Sequence, residues 1–439
     1  MFKFNISVMT LLLAVSFNGA KANENPNDFD FICKKIMQSD ANFSEKDYAF
    51  YFDKSFIEKI PYSKFQDIFS EIKDNVGSCL HSSVESRSTS EQFILNIQTN
   101  LKFEVSFSLR KGAVSNQITY FQLLNINNPA VSIHSWEDVG HALQSLDPNG
   151  KLAATLKTSD HKIQLQFSNE QLFAIGSTFK LYILGALQSA IAAQKHSWTE
   201  TLSISEKLKS LPSGKMQDLP SGTTLSLEEF ASNMISISDN TAADHLLDFL
   251  GRDFVQSLMP MMGNQHSELN DPFLSTLEMF KLKWAVDPIL TEKYLSSDKK
   301  TKIKILADLS EVDRNLVGSN GVAFDLPTLI SKLEWFGTTD DTCNAILWIG
   351  NQESPNLRKI LSKYVPLLQN VGTESSHWAF AGYKGGSEPG VLNMSFLLET
   401  KSGQRACLSM SWNNEKTPLS NFVFSDVVNK TLKFAESIL

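Results

Sequence analysis

Fifteen consecutive residues constrain this chain more than any other stretch: Phe173-Ala174-Ile175-Gly176-Ser177-Thr178-Phe179-Lys180, followed by Leu-Tyr-Ile-Leu-Gly-Ala-Leu. The Leu/Ile/Ala run after Ser177 has no polar face. The helix it forms must therefore be buried on all sides, with the rest of a domain packed around it. Ser177 falls at the N-terminus of that helix, and Lys180 lies one turn on, on the same face. This placement suits nucleophilic catalysis. A serine hydroxyl is a poor nucleophile until a neighbouring base removes its proton. A lysine in a partly dry pocket has its pKa lowered towards neutrality and can serve as that base. The helix dipole and the Ser177 backbone N–H can stabilise a developing oxyanion. Ser-x-x-Lys alone is weak evidence, because five other matches occur: Ser70/Lys73, Ser108/Lys111, Ser159/Lys162, Ser296/Lys299 and Ser297/Lys300. None of those five begins a buried helix.

Two further motifs stand downstream. Ser238-Asp239-Asn240-Thr241-Ala242-Ala243-Asp244-His245-Leu246-Leu247 begins 61 residues after Ser177 and follows a helical pattern that ends at Ile237. In isolation Ser-Asp-Asn is a turn whose Asp and Asn cap the next helix. Gly382-Tyr383-Lys384-Gly385-Gly386-Ser387-Glu388-Pro389-Gly390 precedes an apolar strand, Val391 to Leu398. It reads either as a flexible glycine loop or as an edge strand whose glycines permit close backbone approach, with Lys384 turned towards the nucleophile.

In this order the three motifs resemble the class A β-lactamases and the wider family of penicillin-recognising serine hydrolases, whose signature set is Ser-x-x-Lys, Ser-Asp-Asn and Lys-Thr-Gly. The resemblance runs from about residue 135 to the end. It implies a β-lactamase-like domain: a five-stranded antiparallel sheet flanked by helices, plus an all-helical subdomain, with the site between them. It also implies roles. Ser177 would be the acylated nucleophile and Lys180 its proton acceptor. Ser238 would relay a proton to the leaving nitrogen, and Asn240 would hold Lys180 and the substrate amide. Lys384, with Gly385, Gly386 and Ser387, would bind substrate, Lys384 holding its carboxylate. The backbone N–H groups of Ser177 and Ser387 would form the oxyanion hole.

The sequence departs from the pattern at two places. Gly385 replaces the hydroxyl residue, leaving one donor to the substrate carboxylate missing, and Ser387 is a candidate to supply it. The deacylating Glu-x-x-Leu-Asn is absent. Gln265-His266-Ser267-Glu268-Leu269-Asn270-Asp271-Pro272 offers Glu-Leu-Asn without the spacer. Glu268 is then either the base that activates water or a solvated loop residue. The interval from Ser238 to Lys384, 146 residues, is also longer than the pattern calls for and carries no readable catalytic motif. An N-terminal domain, a lactamase-like domain and the missing spacer together resemble a two-domain subgroup, the serine hydrolase of the clavulanic acid gene cluster and its bacterial relatives.

The remaining residues divide readily. Met1 to Ala22 has a lysine-bearing start, an apolar stretch too short to span a bilayer, and Ala20-Lys21-Ala22 as a cleavage pattern. Residues 1–22 are read as an export signal, which places the mature chain in the periplasm or outside the cell, without a stable membrane anchor. Residues 23–128 read as helices followed by strands. Phe65, Ile68, Phe69 and Ile72 recur at helical spacing, whereas Phe93, Leu95, Ile97 and then Phe103, Val105, Phe107, Leu109 alternate. That order argues for an α+β unit and resembles the small cone-type fold of nuclear transport factors and ketosteroid isomerases. Asn125 to Pro129 is the joint, and residues 129–439 form the hydrolase domain.

Four cysteines, Cys33, Cys79, Cys343 and Cys407, suit an exported chain. They allow three pairings, of which one pair per domain is favoured; four free thiols are the alternative. Their spacing is not that of a zinc site, so no metal is expected. A Ser/Lys mechanism needs no cofactor. The formal net charge is −8, and −10 without Lys3 and Lys21. So acidic a chain is ill suited to gripping nucleic acid. The expected partner is a small molecule, a β-lactam or related amide or ester. A D,D-peptidase, an esterase, or a β-lactam-binding protein of slow turnover are the alternatives.

Overall fold

Ser44 starts the N-terminal helices. Its side chain accepts from the Asp47 N–H while Asp47 accepts from the Ser44 backbone, a reciprocal cap that begins α1 (Glu45–Tyr51). Two more follow, α2 (Lys54–Ile57) and α3 (Tyr62–Val76), and α3 buries Phe65, Phe69, Ile72 and Val76 before Gly77 ends it. Four antiparallel strands come next in simple order: β1 (Cys79–Ser86), β2 (Gln92–Thr99), β3 (Glu104–Lys111) and β4 (Ile118–Asn127). Leu95 and Ile97 of β2, Val105, Phe107 and Leu109 of β3, and Phe121 of β4 are buried, as a half-covered sheet requires. The computed structural model describes residues 29–38, 43–86, 92–112, 117–368 and 370–439. The candidate export signal, 1–22, lies outside the described residues.

The chain divides into two units. One holds the described residues up to Ser132 together with Ser420–Lys430; the other holds Ile133–Leu419 and Thr431–Leu439. Against the division read at residues 128 and 129, the boundary falls at Ser132, and the second unit is not continuous to residue 439. The physical reason is Phe422, which is buried in the first core rather than the second.

The second unit begins with α4 (Trp136–Leu146), again reciprocally capped, by Ser135 and Asp138. Its sheet has five antiparallel strands. β5 (Lys151–Thr158) pairs on one side with the short edge strand β6 (Gln164–Phe167); a two-residue strand, β7 (Phe173–Ala174), leads to the Ser177 turn. Then comes α5 (Lys180–Ala192), in which Leu181 to Leu187 are all buried. Each fully buried Leu or Ile there stabilises the fold by roughly 1.5–3 kcal/mol. A small hairpin, β8 (Thr201–Ser203) and β9 (Thr224–Ser226), precedes α6 (Leu227–Ser236), α7 (Asn240–Leu250) and α8 (Arg252–Leu258). The long interval before Lys384 contains α9 (Thr276–Trp284), α10 (Pro288–Ser296) and α11 (Lys299–Leu309). After it, β10 (Phe336–Gly337) pairs with β7.

α12 (Thr339–Gly350) and α13 (Pro355–Ser362) then lead to β11 (Trp378–Glu388), β12 (Val391–Thr400) and β13 (Arg405–Asn413). The sheet order is β11-β12-β13-β5-β6, which leaves β11, the Lys384 strand, at an edge. The last helix is α14 (Asn421–Ile438). None of the helices described is long and apolar enough to cross a membrane.

Both disulfides are intramolecular: Cys33–Cys79 ties a π-helical turn that precedes α1, Ile32–Ile36, to β1, and Cys343–Cys407 ties α12 to β13. The second closes a sequence separation of 64 residues. Constraining a loop of that length in the unfolded chain is worth about 4 kcal/mol on chain-entropy grounds. Replacing Cys343 and Cys407 together by Ser is therefore expected to lower the unfolding free energy of the second unit by about 2–4 kcal/mol in denaturant titrations. A loss below about 1 kcal/mol would show that the bridge adds nothing to α12–β13 packing.

Candidate active site

The Ser177 turn is held from three sides. Gly176–Phe179 forms a 3-10 turn that runs directly into α5. On one side the Thr178 hydroxyl donates to Asn393 Oδ1 on β12 at 2.7 Å, and Asn393 Nδ2 donates to the Ser411 hydroxyl at 2.7 Å. On another, the Phe179 ring stacks on Trp335, with ring centroids 3.7 Å apart, and the Ile175 N–H donates to the Trp335 carbonyl at 3.0 Å. On the third, Asn413 mimics a strand partner for Ala174, accepting from its N–H at 2.8 Å and donating to its carbonyl at 3.1 Å. Ser177 is left partly exposed while Lys180 is fully buried.

The Lys180 amine is the hub. Its Nζ lies 2.7 Å from Asn240 Oδ1, 2.7 Å from the Ser238 carbonyl, 3.1 Å from Ser238 Oγ and 3.2 Å from Ser177 Oγ. Burial lowers its pKa to about 7, against the attraction of Asp239 and Asp244. A neutral amine has two hydrogens and one lone pair. The two closest acceptors, Asn240 and the Ser238 carbonyl, take the hydrogens, and the lone pair is left for the hydroxyl protons of Ser177 or Ser238. Asn240 cannot turn its oxygen away, because its Nδ2 donates to the Leu211 carbonyl at 3.1 Å.

The second motif is built to deliver these acceptors. Asp239 caps α7 through the Ala242 N–H at 2.9 Å, and it also accepts from Lys215 N at 2.7 Å and Met216 N at 2.9 Å. Ser238 pays the backbone cost, with φ at 55°. That turn points both its carbonyl and its hydroxyl at Lys180. Asp244, also buried, caps α9 by accepting from the N–H groups of Thr276 (2.7 Å) and Leu277 (2.9 Å). Burial raises its pKa to about 6, opposed by those hydrogen bonds.

Lys384 completes the row. Its Nζ donates to Ser238 Oγ at 3.1 Å, so that hydroxyl lies between two buried amines. Further along β11, a Cβ on Gly386 would lie 2.1 Å from the Ile175 carbonyl and 2.6 Å from Ser177 N. One on Gly176 would lie 3.1 Å from Ser387 N. Ser177 N and Ser387 N therefore both lie where β11 closes on the Gly176–Ser177 turn, the place at which an oxyanion hole is expected.

The structure thus brings together Ser177, Lys180, Ser238, Asn240, Lys384, Gly386 and Ser387. Among the described residues no hydrogen bond joins Glu268 to any of them. Glu268 is exposed on a 3-10 turn, Ser267–Asn270, whose inward residue is Asn270. Asn270 bonds the Phe336 backbone both ways, at 2.9 and 2.8 Å. Asp271 pairs with Lys299 on α11 at 2.7 Å. Among the described residues no carboxylate is hydrogen-bonded to Ser177 or Lys180. At position 385, where a hydroxyl side chain was missed, the space is filled by the hydroxyl of Tyr383. Sequence reasoning passed over Tyr383, and passed over a buried cluster behind the strand end: Lys283 pairs with Glu388 at 2.6 Å and with Glu334.

Two outcomes follow from this geometry. Lys180 must be unprotonated to take the Ser177 proton, so the acylation rate should rise with pH through an inflection near 7 and fall about tenfold per pH unit below it. A profile flat between about pH 5 and 9 would remove Lys180 as the base. Gly386→Ala should cut acylation by about 100-fold or more, since the new methyl must push β11 off Ser177 and open the oxyanion gap. An unchanged rate would show that gap to be unused.

Residues 143–313 match the family model described as the beta-lactamase enzyme family. No curated protein matches. Among solved structures, a beta-lactamase from Sphaerobacter thermophilus DSM 20745 is 20% identical, with a TM-score of 0.49 over 70% of this chain and 99% of its own. The structure of PBP-A is 18% identical, with a TM-score of 0.45 over 68% and 95%. A beta-lactamase from Desulfarculus baarsii DSM 2075 is 15% identical, with a TM-score of 0.48 over 69% and 98%. Residues 143–313, which include Ser177, Lys180, Ser238 and Asn240, thus form a stretch that matches the beta-lactamase enzyme family.

Proposed function

We propose that the protein is an exported hydrolase acylated at Ser177 by β-lactams or related amides and esters. The observation that carries this reading is the Lys180 amine, buried, set near neutrality and 3.2 Å from Ser177 Oγ. Ser177 Oγ attacks the substrate carbonyl carbon as its proton passes to Lys180. The carbonyl oxygen takes up the charge between the Ser177 and Ser387 N–H groups. The C–N bond then breaks, with Ser238 giving its proton to the departing nitrogen and being resupplied from Lys180. The product is an ester on Ser177, which water must cleave. Export rests on Met1 to Ala22 and agrees with two disulfides, bonds that persist in oxidising compartments. The N-terminal α+β unit is read as a cone-type binding or interaction module, which fits the two-domain subgroup with the clavulanic acid cluster hydrolase.

One observation favours slow turnover. Glu268 is exposed, and among the described residues no carboxylate is hydrogen-bonded to Ser177 or Lys180 to serve as a base for cleaving the acyl-enzyme. Intact mass spectrometry of the mature chain with benzylpenicillin, followed over time, tests both points. The expected result is one added penicillin, lost in Ser177→Ala, that persists for minutes and decays at the same rate in Glu268→Ala. No adduct, or an adduct that survives Ser177→Ala, overturns the acylation reading. Slower decay in Glu268→Ala would restore that residue as the water base. Hydrolysis of a D-Ala-D-Ala peptide or a simple ester, with the penicillin untouched, would assign the same site to peptidase or esterase work.

A further inference from the structure

Lys384 is a buried amine without an acid. Its Nζ donates to Ser238 Oγ and to the Gly385 carbonyl, and no carboxylate bonds it among the described residues. Burial, and the Lys180 amine beside it, push its pKa well below that of an ordinary lysine. An anion entering this dry pocket would offset both effects, favouring the charged form of Lys384 and being held by it. The way in is next to it, because Ser177, Ser238 and Gly385 are partly exposed.

The neighbouring surface is shaped by Tyr383. A Cβ built on Gly385 would lie 2.0 Å from Tyr383 Oη and 2.8 Å from Cζ. The phenol therefore occupies the place where a side chain at 385 would start. Tyr383 and Gly385 are two apart on β11 and so share one face of the strand. The ring is fixed there. It packs on Phe396, its cross-strand partner on β12, with centroids 4.9 Å apart, and edge-on to Tyr364 at 6.2 Å. Burial raises the phenol's pKa, so it keeps its proton and acts as a hydrogen-bond donor.

We infer that the Tyr383 hydroxyl, beside Lys384, donates to the carboxylate of the bound substrate and does the work of the hydroxyl side chain absent at Gly385. The inference rests on the acylation reading for its substrate class, yet it concerns recognition rather than bond-making, and the two can be tested apart.

Tyr383→Phe removes the hydroxyl and keeps the ring. Acylation by benzylpenicillin is compared with acylation by benzylpenicillin methyl ester, in the unmodified protein and in this variant. A hydrogen bond to a charged group predicts that the acid-to-ester ratio of rate constants falls about tenfold or more in Tyr383→Phe. An unchanged ratio overturns the inference. The same comparison in a Ser177→Ala background, read as dissociation constants by calorimetry, is independent of acylation. There the preference for the acid should also fall about tenfold or more with Tyr383→Phe. If Ser177 takes up neither compound but that preference is present and lost, the acylation reading fails and the Tyr383 assignment stands. No preference for the acid in either background overturns the assignment. An unchanged melting temperature in Tyr383→Phe confirms that the ring still packs.

Discussion

Keeping the Lys180 amine out of water is the constraint on which the rest depends. Moving a cation into a protein interior costs several kcal/mol, and the amine lowers the cost by tending to give up its proton. That would leave a useless neutral group if its lone pair pointed anywhere. It does not, because the 238–240 turn supplies two acceptors at 2.7 Å and so decides which way the hydrogens face. The turn is itself unfavourable: Ser238 has φ at 55°, and a strained residue of this kind costs of order 1–3 kcal/mol. It is held by the Asp239 cap and by the segment from Ser210 to Met216, whose backbone bonds Asp239, Asn240 and Thr241. Burial, turn and cap stand or fall together.

The other wall is a strand that must come close without covering Ser177. An edge strand can do this because one side of its backbone has no partner in the sheet. β11 lies against residues 175–177 only because Gly386 presents no side chain there, and Gly176 matches it with φ at 48°. The Thr178–Asn393–Ser411 chain of hydrogen bonds fixes the same turn to the strands behind. At the end of β11, Glu388 is tied to Lys283 on α9. The long helical interval therefore has a physical task. It brings a buried cation to the strand one residue past Ser387.

Much of this was legible. A helix with no polar face can only be a central one, which gave weight to Ser177 and Lys180 over five other Ser-x-x-Lys pairs. Alternating Phe, Ile and Leu marked β2 and β3. Elsewhere the signal was masked. β1 reads CLHSSVES, too polar to show a period, and is recruited by pairing with β2. In α9, Lys281 and Lys283 sit at buried positions, one donating to the Leu309 carbonyl and the other paired with acids, so the helix lacks a clean apolar stripe. Glu268 drew attention through its neighbours Leu269 and Asn270, but a 3-10 turn sends adjacent side chains different ways: Asn270 is inward and Glu268 outward. The hydroxyl over Gly385 comes from two residues upstream, a substitution across one strand face that no motif spacing displays.

The Lys283–Glu334–Glu388 cluster has a consequence for how the protein's charge should be understood. One cation cannot satisfy two buried acids, and burial beside Glu334 raises the Glu388 pKa well above the ordinary range. Burial thus favours the protonated form of Glu388, which the formal count of −8 takes as ionised, and the neutral form of Lys180, which the count takes as charged. The two departures have opposite signs, and Lys384 is pushed in the same sense as Lys180. An ion-exchange column or an electrophoretic field reports only the sum of such shifts, not where in the interior each proton sits.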